Sequence, residues 1–147
     1  MPRHITSFDT EQHHIHLEFF ITSPQGIRHS VAGILDTGAP KTEFSDQFLV
    51  ATGCLASPRD DRRIPPGLQT RKYAKMILPD GEICGHTFNN FEVVVSAFEA
   101  SWGIDALIGL DFFRRVLISI DYAHGILLTE LKWSKFFRQF FAIIKIL

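Results

Sequence analysis

Apolar and polar positions alternate along residues 14–22, with Ile15, Leu17, Phe19 and Ile21 on one side, and aromatic and β-branched side chains are frequent. That spacing predicts a strand. Ser23-Pro24-Gln25-Gly26 has turn composition, and residues 27–35 read as the returning strand of a hairpin. A loop follows at 36–40. Ser45 as N-cap and Gly53 as stop bracket a short helix. Residues 57–67 carry three prolines and a run of charges and read as a mobile loop. Residues 68–78 read as a strand, Pro79-Asp80-Gly81 as a hairpin turn, and 88–95 as a strand centred on Val93-Val94-Val95. Leu107-Ile108 is a short apolar strand entering Gly109, and 110–115 suit one or two helical turns. Residues 116–120 and 125–129 form a last hairpin through Asp121-Tyr122-Ala123-His124. The expected architecture is mainly β, a single lobe over residues 1–130 with short helices.

Residues 131–147 have a different period. Lys135, Arg138, Ala142 and Lys145 share one stripe, opposite Trp133, Phe136, Phe137, Phe140, Phe141, Ile144 and Leu147. This is an amphipathic basic C-terminal helix. It suits packing on the core or on a partner subunit, or contact with a membrane surface.

Composition narrows the function classes. A chain of 147 residues that is 46% hydrophobic has the material for one packed domain. Its net charge of -1 argues against nucleic acid as a partner. Two cysteines, Cys54 and Cys84, make neither a disulfide framework nor a four-cysteine zinc site, and suit a reducing, cytoplasmic setting. The polar start Met1-Pro2-Arg3-His4 gives no expectation of a secretory leader. His13, His14 and His16 crowd together, but no cluster of carboxylates or cysteines accompanies them, so an edge-strand role is expected and no metal or cofactor. Basic residues collect between Arg59 and Lys75, whereas residues 76–113 hold no Lys or Arg.

The candidate chemistry lies at Asp36-Thr37-Gly38. The triplet leaves the end of an apolar strand, Val31-Ala32-Gly33-Ile34-Leu35, so a carboxylate emerges where a sheet stops. Gly38 permits a tight turn with close backbone approach, and Thr37 sets a hydroxyl beside the acid. A second element comes some way downstream: Asp105-Ala106-Leu107-Ile108-Gly109-Leu110-Asp111-Phe112-Phe113, an apolar run into glycine and a short helix, followed by a strand.

With both elements in place, the chain resembles the retropepsin-like aspartic proteases, and their cellular and bacterial branch more than the viral enzymes. The resemblance rests on Ala32 to Ala39, Thr42, the 45–53 helix and Leu107 to Phe113, and it spans residues 14–130. It implies a closed β-barrel lobe carrying one D-T-G per subunit. Aspartic protease chemistry needs two carboxylates sharing one proton. With one D-T-G here, the second must be Asp36 of an identical chain, so a homodimer acting on peptide or protein substrates is expected.

By the same resemblance, Asp36 is catalytic. Thr37, Gly38, Ala39 and Thr42 support its loop, with Thr37 interlocking across the dimer axis and Gly38 bonding substrate main chain. Leu107, Ile108, Gly109 and Asp111 form the supporting second motif, Asp111 bonding the loop near Thr42. A flap is expected between the motifs, its tip at Pro66-Gly67-Leu68, with Pro79-Asp80-Gly81 as the rival position. Some viral features are missing. Pro40 and Lys41 stand where acids bind substrate in the viral enzymes, and Leu110 stands where an arginine ties their dimer. Two alternatives remain: a non-catalytic member of the fold that binds peptides, and a membrane-surface interaction protein acting through its tail.

Overall fold

The computed structural model describes residues 2–57 and 71–132. Among these residues nine strands form two sheets. They are β1 (Arg3–Ser7), β2 (His16–Thr22), β3 (Arg28–Leu35), β4 (Glu43–Ser45), β5 (Arg71–Ile83), β6 (His86–Ala97), β7 (Ala106–Ile108), β8 (Val116–Asp121) and β9 (Ile126–Leu131). Two short helices, α1 (Asp46–Ala51) and α2 (Leu110–Phe113), and one 3-10 turn (Ala100–Trp102) complete the order. β2-β3-β7-β4-β6-β5 close into a barrel, and β1-β9-β8 make a second sheet beside it. The mainly β expectation and the closed lobe are observed.

Alternation decides the core. Leu17, Phe19 and Ile21 of β2 are buried and face Val31 of β3, Phe44 of β4 and Phe91, Val93 and Val95 of β6. Gly33 lies where a side chain would strike the Phe19 ring at 2.5 Å, so its absence lets that ring pack flat under β3. Ser45 caps α1 from its hydroxyl to the Phe48 N–H (3.5 Å), and Gly53 follows the helix with φ 74°, as the sequence predicts.

β7 determines where the site forms. It pairs parallel with β3 (Leu35↔Ile108) and antiparallel with β4 (Glu43↔Leu107), so it lies between the two strands joined by the 36–42 loop. The parallel pairing brings the ends of β3 and β7 to the same level, and both chains leave the barrel side by side. Glu43 is buried behind this seam. It accepts Ser96 Oγ (3.0 Å) and pairs with Lys72 Nζ (2.9 Å), fixing β4 to the long hairpin.

That hairpin corrects one expectation. Pro79-Asp80-Gly81 is no turn and no flap tip, because it lies inside β5, where Asp80 pairs with Asn89 and Gly81 with Phe88. The triplet is held extended by partners on both sides, since β2 also pairs there (Ile21↔Gly81). The glycine serves packing: a Cβ on it would lie 2.8 Å from the Phe20 carbonyl oxygen. Pro79, without an N–H, faces Asn90, which takes φ 51°. The chain reverses instead at Cys84-Gly85, both at positive φ. β1 and β4 are strands that the periodicity did not indicate. The expected flap tip Pro66-Gly67-Leu68 and all of the tail beyond Lys132 lie outside the described residues.

The two sheets meet through a buried polar seam. His86 on β6 is 4% exposed and donates from Nε2 to Thr129 Oγ1 on β9 (2.9 Å), which donates onward to the Cys84 carbonyl (3.3 Å). The His4 ring of β1 meets His86 edge-on at 4.6 Å. Burial, with His4 adding, holds the His86 imidazole below its ordinary pKa, while burial pushes the Cys84 thiol up to about 11. The folded chain therefore binds the His86 proton less readily than the unfolded chain. This contribution to stability is complete above about pH 6.5 and is lost as pH falls through and below that range. Melting curves of wild type from about pH 7.5 to about 5 should decline more steeply than those of His86→Asn, which keeps a donor for Thr129 without the titration. Parallel declines would contradict the assignment.

Candidate active site

Asp36 is the first residue beyond β3. Its N–H donates to the Ile108 carbonyl of β7 (2.9 Å), which ties the start of the loop to the neighbouring strand end. The chain then turns at once, with the Ala39 N–H donating to the Asp36 carbonyl (3.2 Å). Inside this turn the Gly38 N–H donates to Asp36 Oδ1 (2.9 Å). A side chain on Gly38 would sit 3.1 Å from that oxygen, closer than ordinary van der Waals contact. One carboxylate oxygen is thus held by the loop's own backbone, and the acid is half-buried, with Thr37 exposed at the loop tip.

The second motif grips the other end of the loop. The Leu110 N–H donates to the Ala39 carbonyl (2.9 Å), and Gly109 packs so tightly that a Cβ would lie 2.6 Å from the Lys41 carbonyl carbon. Thr42 is fully buried. Its Oγ1 accepts the Gly109 N–H (3.1 Å) and donates to Asp111 Oδ1 (2.7 Å). The Thr42 N–H donates to the same carboxylate (2.9 and 3.0 Å), which also accepts the Phe112 N–H at the start of α2 (2.9 Å). Asp105 holds the outer flank: its Oδ2 accepts the Ala32 N–H (2.9 Å) and its own N–H donates to the Ala32 carbonyl (2.7 Å).

Asp36, Thr37, Gly38, Ala39, Thr42, Leu107, Ile108, Gly109 and Asp111, spread over some 75 positions, therefore form one structural unit. Beside Asp36 opens a cleft of about 400 Å³. Ile34, Leu35, Trp102, Ile104 and Leu107 supply its apolar surface, and Gln12, His14 and His16 its polar side. Sequence reasoning did not place Gln12, His14, His16, Trp102 and Ile104 here. The hairpin register held the signal for the histidines, because the pairing His16↔Ile34 brings His14 level with Asp36 when extended by two residues. Among the described residues the cleft lining holds no second carboxylate, and no three metal-ligating side chains gather.

The Thr42–Asp111 linkage sets a testable cost. Asp111→Ala removes the acceptor from a fully buried hydroxyl and from two backbone N–H groups, so a loss of about 3 kcal/mol in unfolding free energy is expected by chemical denaturation. Gly109→Ala should destabilise as well, by about 2 kcal/mol, since the obstructing atoms are backbone. Unchanged midpoints for both variants would show that this linkage does not hold the loop.

No protein-family model and no curated protein sequence matches the chain. Solved structures do. A retropepsin-like aspartic protease from Rickettsia conorii superposes with a TM-score of 0.59 at 17% identity, covering 87% of this chain and 90% of that one. The retroviral protease-like domain of Ddi1 from Leishmania major superposes with a TM-score of 0.50 at 20% identity, covering 81% of this chain and 90% of that one. At these identities the likeness is one of fold, and the fold of this chain is that of the retropepsin-like aspartic proteases.

Proposed function

We propose that the protein is an aspartic endopeptidase that works as a homodimer, its active site formed by Asp36 from each of two identical subunits. One observation carries the reading. The Asp36 carboxylate is fixed by its own turn at the edge of a cleft of about 400 Å³ whose lining has no second acid among the described residues. The fold of the two structural neighbours supports the same chemistry.

Two carboxylates about 3 Å apart cannot both ionise, so the pair holds one proton between them and titrates as a unit. The ionised Asp36 takes a proton from a bound water as its oxygen attacks the scissile carbonyl carbon. The protonated Asp36 gives its proton to the carbonyl oxygen, forming a neutral tetrahedral diol. Collapse of the diol breaks the carbon–nitrogen bond as the carboxyl that took the water proton passes it to the departing amine, and a diol hydroxyl returns its proton to the other, ionised Asp36, which leaves a carboxylic acid product and restores the one-proton pair. The Gly38 N–H keeps one Asp36 oxygen in place, so the acid does not swing away when its charge changes. Exposed Thr37, next to the acid, suits contact with the same loop of the partner subunit.

Cleavage of a peptide library, read by mass spectrometry from about pH 4 to 7, tests the proposal. Asp36→Asn keeps the shape of the side chain and removes its ionisation, so cleavage should fall at least about a thousandfold. Equal cleavage by both proteins would place the activity elsewhere.

A further inference from the structure

His14 and His16 stand in the cleft for a structural reason. Ile15 between them is 8% exposed and points into the core, and its carbonyl accepts the Leu35 N–H (3.0 Å), continuing the β2–β3 pairing past its last ladder pair. The pleat sends the residues on either side of Ile15 the opposite way, out of the core and into the cleft beside Asp36. His14 is exposed and His16 half-buried, and neither side chain has an ion pair or hydrogen bond among the described residues. Two imidazoles with unspent donors thus border a site whose other wall, Trp102, Ile104 and Leu107, has nothing ionisable.

Among the described residues the surrounding charges are few. Asp36 lies at the end of β3. Asp9, from the β1–β2 connection, lines adjoining hollows with His14 (together with His13) and with His16. Glu18, farther along β2, already accepts Ser30 Oγ (2.7 Å). Lys41, in the same loop as Asp36, pairs with Glu92 (4.0 Å), as does Lys75 (3.4 Å), and Lys72 pairs with Glu43 (2.9 Å); none of the three lines the cleft. Among the described residues that line the cleft, the histidines are the side chains able to carry positive charge, and histidine as a residue type gains charge in the mildly acidic range in which glutamate is still ionised.

We propose that His14 and His16 form a specificity subsite that takes an acidic side chain of the peptide next to the scissile bond. The inference rests on the reading of Asp36 as the carboxylate that cleaves peptides. A glutamate or aspartate at that position receives charged N–H donors from the imidazoles, while its aliphatic carbons lie on the apolar wall. The two-fold axis supplies the subsite once on each side of the cleavage point.

The test uses a random decapeptide library in two formats: cleavage by wild type, and capture on immobilised Asp36→Asn protein, which reports binding without turnover. Glu and Asp should be enriched over Gln and Asn about tenfold near pH 5.5, and close to parity near pH 7.5. The double variant His14→Gln/His16→Gln should lose the enrichment. His14→Arg/His16→Arg, with permanent charges, should retain it at pH 7.5, which a purely structural role for the histidines does not predict. Acid enrichment that survives in the Gln variant, or none in wild type at pH 5.5, overturns the subsite. Acid-dependent capture without any cleavage by wild type leaves the subsite standing and overturns the protease reading alone.

Discussion

The site depends on one strand passing between two others. β7 has three residues, yet it runs between β3 and β4 and turns a flexible D-T-G loop into a clamped one. Parallel pairing on one side fixes where Asp36 begins, through its N–H to Ile108. On the other side, Gly109 and Asp111 fasten Thr42, where the loop rejoins the barrel. Each of these contacts has little slack. Thr42 has no exposure to solvent, and Gly109 lacks room for a methyl group. A charge at the mouth of a cleft is useful for catalysis only if it stays in place when its protonation changes, and this clamp provides that fixity.

The same constraint bears on the proposed dimer. Asp105 and Asp111, the acids nearest in sequence to the second motif, both spend their carboxylates on backbone N–H groups of the frame. Neither is free to share a proton with Asp36. In the proposed mechanism the second carboxylate is Asp36 of an identical chain, which a two-fold axis would supply with the same geometry.

Much of this was legible in the sequence because it is local. A strand that ends in Asp-Thr-Gly and an apolar run that ends in Gly-Leu-Asp carry their own turn and packing signals. The Ser45 cap and the Gly53 stop did so for α1. What stayed hidden depends on partners distant in the chain. β4 is a three-residue strand made by β6 and β7 on its two sides, so no period inside it marks it. Pro79-Asp80-Gly81 has the composition of a turn, but β2 and β6 hold it straight. The crowd of His13, His14 and His16 was visible from the start. That two of them face Asp36 follows only from the register of the β2–β3 hairpin, which sets His14 level with the acid.

The central claim, that two Asp36 residues from two chains form one catalytic centre, is tested most directly by subunit mixing. Wild type and Asp36→Asn would be unfolded together, refolded at varied ratios, and assayed on a peptide that wild type cleaves. If both subunits must supply an ionisable Asp36, activity follows the square of the wild-type fraction, so an equal mixture retains roughly a quarter. Activity that falls in direct proportion to the wild-type fraction would mean that each chain carries a complete site, and would contradict the account.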